Sequence, residues 1–190
     1  MTIPRIALLS LLLAACAGTP KQQSNLAYYD VPASAPELPA PLRSLDVVPA
    51  SWMASNAMYY RLAYAGGSRR EHYAESRWTA QPSELLTVSL KRSLMGSAET
   101  LSSTTLLCRL RLDLDDLVQV FDAPGSSRLV LEGRATLHGA QQAVLARRAF
   151  SLSQPAGADA VAGVAASGPL VNTLARELQT WVRQECRKTP

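Results

Sequence analysis

Histidine occurs twice in the 190 residues, at His72 and His138, and cysteine three times, at Cys16, Cys108 and Cys186. That scarcity removes the common metal arrangements. There is no H-E-x-x-H and no C-x-x-C, and neither histidine has a second histidine or a cysteine at helical spacing. No G-x-S-x-G occurs either, because Ala65-Gly66-Gly67-Ser68-Arg69 lacks the closing glycine. Phosphate-cradling loops are missing too: Gly66-Gly67 and the small-residue stretch from Gly163 to Gly168 have neither the spacing nor the lysine. The 19 basic and 15 acidic side chains leave a net charge of +4. They scatter in loose pairs such as Arg69 and Arg70 with Glu71, with no basic stripe interleaved with aromatics, which argues against nucleic acid. Past the N-terminus no run approaches the roughly 18 apolar residues that a bilayer span needs. The carboxylates Asp113, Asp115 and Asp116 read as a solvated strand end in preference to an acid–base pair. The expectation is a chain without catalysis, metal or cofactor.

What is present begins with Leu13-Ala14-Ala15-Cys16. It closes the apolar run Ile6 to Leu13 and is followed by Ala17-Gly18-Thr19-Pro20, with Arg5 upstream. Small residues ending in a cysteine after a short apolar core read as a lipoprotein signal. Residues 1–15 are expected to be removed, leaving Cys16 as an acylated first residue. Residues 16–25 form a polar tether whose extended reach is roughly 30 Å. The remainder, 26–190, is expected to form one domain with a connector at 32–41 rich in proline (Pro32, Pro36, Pro39, Pro41).

Period-two alternation predicts strands at Leu26 to Val31, Ser44 to Val48, Asn56 to Tyr64 and Arg70 to Trp78. The second pair is joined by a hairpin through Gly66-Gly67. Tyr73 and Trp78 differ in parity, so the last of these strands either carries a bulge or stops before Trp78. Pro82, Glu84 and the leucines 86, 90 and 94 predict a helix stopped by Gly96. Alternation at Leu106, Cys108, Leu110, Leu112 and Leu114 predicts a half-buried strand, resuming at Leu117 to Phe121. Two further strands, Arg128 to His138 and Ala143 to Ser153, complete an antiparallel meander. Val171, Leu174, Leu178, Trp181, Val182 and Cys186 mark one stripe of a closing helix, with Ala160 to Ala166 as a backward extension. The fold class is α+β: an antiparallel or mixed sheet with two main helices on one face. Cys108 and Cys186 both point inward; in an oxidising compartment they either close a bridge or pack as two buried thiols. Tyr28, Tyr29, Trp52, Tyr59 and Tyr60 crowd the first half, serving as core and edge fillers or as an interaction surface.

In order and spacing several segments form one pattern. The cysteine-terminated signal is followed by Tyr28-Tyr29, the Leu45-Asp46-Val47-Val48-Pro49 strand and Met58-Tyr59-Tyr60-Arg61. Then come the Arg77-Trp78…Gln81-Pro82 helix entry, the Leu-Arg-Leu-Asp run of 110–113 within Arg109 to Asp115, and the Ala/Val-rich last helix. Across the mature chain this resembles the ABC-type transport auxiliary lipoproteins, the PqiC-like family. The resemblance implies a periplasmic lipoprotein acylated (palmitate-type chains) at Cys16 and held on the outer membrane. Ala17 in place of an aspartate agrees with that sorting. It also implies service to an ABC system with an MCE-domain protein that moves lipid between the two membranes, and self-association into a homo-oligomer. Asp30 after the tyrosines and Ala80 before the proline depart from the family pattern. Two other classes stand beside it: a pilot-type lipoprotein of a secretion or appendage complex, and a hydrolase built on Asp113, Asp115 or His72.

Overall fold

The computed structural model describes residues 25–32, 37–95 and 108–187. Leu110, Leu112 and Leu114 alternate with Arg109, Arg111 and Asp113, which suits a strand with one dry face. That strand, β5 (Cys108–Ala123), is the middle of a seven-stranded mixed sheet. On one side it pairs antiparallel with β6 (Ser126–His138), which pairs in turn with β7 (Val144–Ala156). On its other side β2 (Leu42–Pro49) runs parallel to its first half, and β3 (Ala57–Leu62) runs parallel to Gln119–Phe121. Beyond β3 lie β4 (Arg70–Trp78), antiparallel to it, and the short β1 (Ala27–Tyr29), parallel to β4. The helices are α1 (Pro82–Leu94) and α2 (Ala160–Cys186). The expected α+β domain with a mixed sheet is therefore what forms.

Three local expectations change in detail. The strand expected to reach Tyr64 ends at Leu62, because Ala63–Ala65 turn as a 3-10 segment and leave Tyr64 exposed. Gly66 (φ 98°) and Gly67 (φ 56°) then supply the left-handed backbone of the reversal. The parity conflict in β4 resolves as an irregularity: Ala57 faces Arg77 whereas Tyr59 faces His72, so β4 continues to Trp78 and buries it. The two β segments expected around Asp116 are one strand with a register shift between Leu114 and Asp116. Before it, even-numbered residues face the helices. After it, Leu117, Gln119 and Phe121 do so, and Val118 and Val120 pack with Val130 on the opposite face. Gly96 and the loop expected after α1 lie outside the described residues.

The core fills the space between sheet and helices. Leu86, Leu90 and Leu94 of α1 meet Leu42 and Leu45, while Leu170, Leu174, Leu178 and Val182 of α2 meet the inward leucines of β5 and β6. Apolar burial of this kind contributes about 1.5–3 kcal/mol per large side chain. The connector helps to close one end: the amides of Leu38 and Ala40 donate to the carbonyls of Ser93 and Leu94, satisfying two of the orphan carbonyls of α1. Arg183 of α2 donates to the carbonyl of Pro39 at 2.7 Å.

Helix α2 runs unbroken from Ala160, with the small residues inside it. The Asp159 carboxylate accepts from the Ala162 amide and caps the first turn. Pro169 sits within the helix, where it has no amide to donate, and packing against the sheet compensates. Near the N-terminus Gly163 lies against the side chain of Gln119, which is buried. Gln119 Nε2 donates to the Ser127 hydroxyl at 2.8 Å and to the carbonyls of Gly157 and Asp159. Its Oε1 accepts from the Tyr73 hydroxyl at 3.0 Å. At the far end a disulfide joins Cys186 to Cys108, with Cα atoms 6.2 Å apart across 78 residues of sequence.

Two outcomes follow from this packing. A Cβ at Gly133 would lie 2.5 Å from the Asp113 carbonyl and 2.5 Å from the ring of Phe150. Gly133→Ala is expected to lower unfolding free energy by about 1–3 kcal/mol in urea titrations. Burial first, then the charge of Asp159 and the neighbouring Tyr60, raises the Tyr73 phenol well above its ordinary range. The fold thus favours the neutral phenol, so its contribution is complete below about pH 10 and shrinks as pH rises beyond that. Tyr73→Phe is expected to cost about 1–3 kcal/mol at neutral pH, by leaving Gln119 Oε1 unpaired. Unfolding curves taken across the alkaline range should also show a shallower loss of stability in that variant.

Candidate interaction surface

The face of the sheet turned away from the helices carries most of the charged residues of β5 and β6. Arg109, Arg111 and Asp113 of β5 stand opposite His138, Thr136 and Arg134 of β6, and Thr136 and Arg134 stand opposite Arg147 and Ala149 of β7. Arg111 donates to Asp113 at 2.8 Å and Arg134 to Asp115 at 2.7 Å. The hydrogen bond and charge of Asp113 raise the Arg111 guanidinium further above its usual value, so it stays cationic. Both pairs are solvent-exposed and contribute little to stability.

Further along this face the bulge after Leu114 turns Asp116 into a different environment. Its side chain is 9% exposed, and its carboxylate accepts two bonds from Arg70, each 2.9 Å, and one from Arg61 at 3.0 Å. Charge-assisted bonds of this type hold a guanidinium in one plane. That plane lies over Trp52, with Arg70 Cζ 3.7 Å from the ring centroid and 5.8 Å from that of Tyr59. Trp52 and Tyr59 meet edge to face at 5.8 Å. The reading of Asp113, Asp115 and Asp116 as one solvated strand end therefore fails for Asp116. The signal was the acidic doublet: adjacent strand residues point to opposite faces unless a bulge intervenes.

The five aromatics singled out in the sequence fall into three places. Trp52 (41% exposed) and Tyr59 form the stack just described on the helix-free face. Tyr60 lies on the helix side between Tyr73 (centroids 4.9 Å apart) and Phe121 (6.0 Å). On β1, Tyr28 is 56% exposed while Tyr29 packs against the core. Cys16 lies outside the described residues. Asp113 and Asp115 are taken by arginines, and His72 is exposed on β4, with β3 between it and β5, so the hydrolase residues do not converge. His138 Nδ1 lies 3.2 Å from the Gln142 carbonyl. No group of three His, Cys, Asp or Glu side chains gathers among the described residues, and no described helix is long and apolar enough to cross a membrane.

Asp116→Ala should leave Arg61 and Arg70 without their counter-charge and release Arg70 from Trp52. The expected cost is about 2–3 kcal/mol in denaturant unfolding, with a change in tryptophan emission. Asp113→Ala should cost under about 1 kcal/mol.

Comparison with curated proteins gives no match. Among solved structures, a protein from Xanthomonas campestris superposes with a TM-score of 0.68 at 17% identity, covering 85% of this chain and 98% of its own. A second, the crystal structure of an uncharacterized protein, gives 0.55 at 16% identity and covers 87% and 99%. At these identities the likeness speaks for the fold. Residues 37–179 match the model of the ABC-type transport auxiliary lipoprotein component. That stretch takes in β2 through most of α2, and the chain belongs to this family.

Proposed function

We propose that the chain is a non-catalytic adaptor, acylated on Cys16 and held at the periplasmic face of the outer membrane. There it serves an ABC system that works with an MCE-domain protein to move lipid between the membranes. The observation that carries this reading is the family match over 37–179 in a chain that also holds a cysteine-terminated signal at Leu13-Ala14-Ala15-Cys16. More than one acyl chain, at roughly 0.8 kcal/mol per buried methylene, makes such anchoring stable. The polar tether of 16–25 sets the distance from the bilayer, and the domain supplies the docking surface. Tyr28, Trp52 and Tyr64 are exposed aromatics available to a partner, with Tyr59 half-buried beside Trp52, and aromatic anchors dominate interface energetics.

Affinity isolation of the full protein from chemically crosslinked envelopes tests the assignment. The expected result is co-recovery of the MCE-domain protein with the ABC permease and ATPase. Recovery of secretin or pilus subunits in their place would overturn it in favour of a pilot-type lipoprotein.

A further inference from the structure

The helix-free face of β5, β6 and β7 holds a groove of about 650 Å³. The guanidiniums that line it are those of Arg111, Arg134 and Arg147, with Asp113 as its one carboxylate and Thr136 as a neutral donor. A second groove of about 410 Å³, sharing Arg111 and His138 with the first, extends it toward Arg109, Val48 and Asp46, the last a carboxylate whose charge also acts on Arg111. Within the larger groove Arg111 already neutralises Asp113, and Arg134 is answered by Asp115 from outside the lining. Arg148 also borders the groove, but it stands opposite the inward Ala135 and turns its guanidinium to the helix side, onto Glu177 and toward Trp181 of α2, so it adds no charge to this face. Arg147 forms no ion pair or side-chain hydrogen bond with the described residues, and neither does Arg109 at the far end. Positive charge in the groove thus exceeds what the protein itself balances. Guanidinium forks match phosphate oxygens in a bidentate geometry that a hydrated lysine does not reproduce.

We propose that this groove binds the phosphodiester headgroup of an anionic phospholipid, laying the helix-free face toward the bilayer. The proposal rests on the lipid-anchored reading above for its choice of phosphate source. Four sheet intervals separate β1, where the tether enters, from β6. At nearly 5 Å each they amount to roughly 20 Å. The tether spans roughly 30 Å when extended, so groove and anchor reach one membrane together. The exposed Trp52 and Val48 lie on the same face, and a tryptophan with one apolar and one polar edge suits the headgroup boundary.

The test uses the full acylated chain in neutral detergent. It is titrated calorimetrically with dihexanoyl phosphatidylglycerol, dihexanoyl phosphatidylcholine, inorganic phosphate and an oligoglutamate peptide. Saturable binding of phosphatidylglycerol at least about tenfold tighter than phosphatidylcholine is expected, weakened by a similar factor in the Arg134→Gln/Arg147→Gln double variant. Arg176→Gln, an exposed substitution on α2, should bind as the parent does. Equal affinity for the two lipids, or parent-like binding by the double variant with its thermal unfolding unchanged, would overturn the proposal. Inorganic phosphate binding as tightly as phosphatidylglycerol would assign the groove to free phosphate. Preference for oligoglutamate would assign it to an acidic protein segment. No transporter is present in this assay, so its failure leaves the adaptor assignment to be decided by the envelope crosslinking.

Discussion

Helix α2 crosses the β5–β6–β7 meander with both of its ends fastened, and the division of labour between the two sheet faces follows from that. At its N-terminus Asp159 caps the first turn, and the carbonyls of Gly157 and Asp159 accept from a buried Gln119. At its C-terminus the Cys108–Cys186 disulfide and the Arg183 bond to Pro39 tie it to the start of β5 and to the connector. In the loop-entropy account a crosslink spanning 78 residues removes about 4–5 kcal/mol of unfolded-chain freedom, less whatever strain it carries. Between these ends the helix needs only a stripe of leucine, valine and alanine. One face of the sheet becomes largely apolar, apart from the hydrogen-bonded cluster around Gln119, and the other is released to carry charge.

The bulge after Leu114 gives that second face its shape. Without it, Asp116 would point at the helices and Leu117 at solvent, an inversion of the whole later half of β5. With it, the face has two zones. Around Asp116 two arginines, a tryptophan and a tyrosine are locked together in one arrangement. Toward the start of β5 the arginines stand over an open groove and are only partly paired. Preorganised aromatics beside unneutralised guanidiniums are what a surface needs to meet an anionic, amphipathic partner.

Much of this was legible in the residues, and what escaped has physical causes. Leucine alternation in β5 and the four-residue leucine spacing in α1 were strong signals because each makes one dry face. The inward direction of Cys108 and Cys186 came from the same periodicity. It left open whether the two sulfurs were neighbours, since periodicity says nothing of distance between elements. The parallel placement of β2 and β3 beside β5 was invisible because it depends on a crossover through α1. The role of Asp116 was missed because the acidic doublet was read as the solvated end of one strand before another resumed, when it marks a bulge within a single strand. Among the aromatics, sequence proximity grouped Tyr59 with Tyr60, although successive strand residues must occupy opposite faces.

A domain with one sealed face and one charged, aromatic face suits an adaptor held beside a membrane, in keeping with a family of transport auxiliary lipoproteins. The most direct test of that account is the intact mass of the protein extracted from its native envelope. The account predicts a chain beginning at Cys16 and carrying diacylglyceryl and acyl additions on that residue. A mature chain with an unmodified N-terminus, or one cleaved elsewhere, would contradict it.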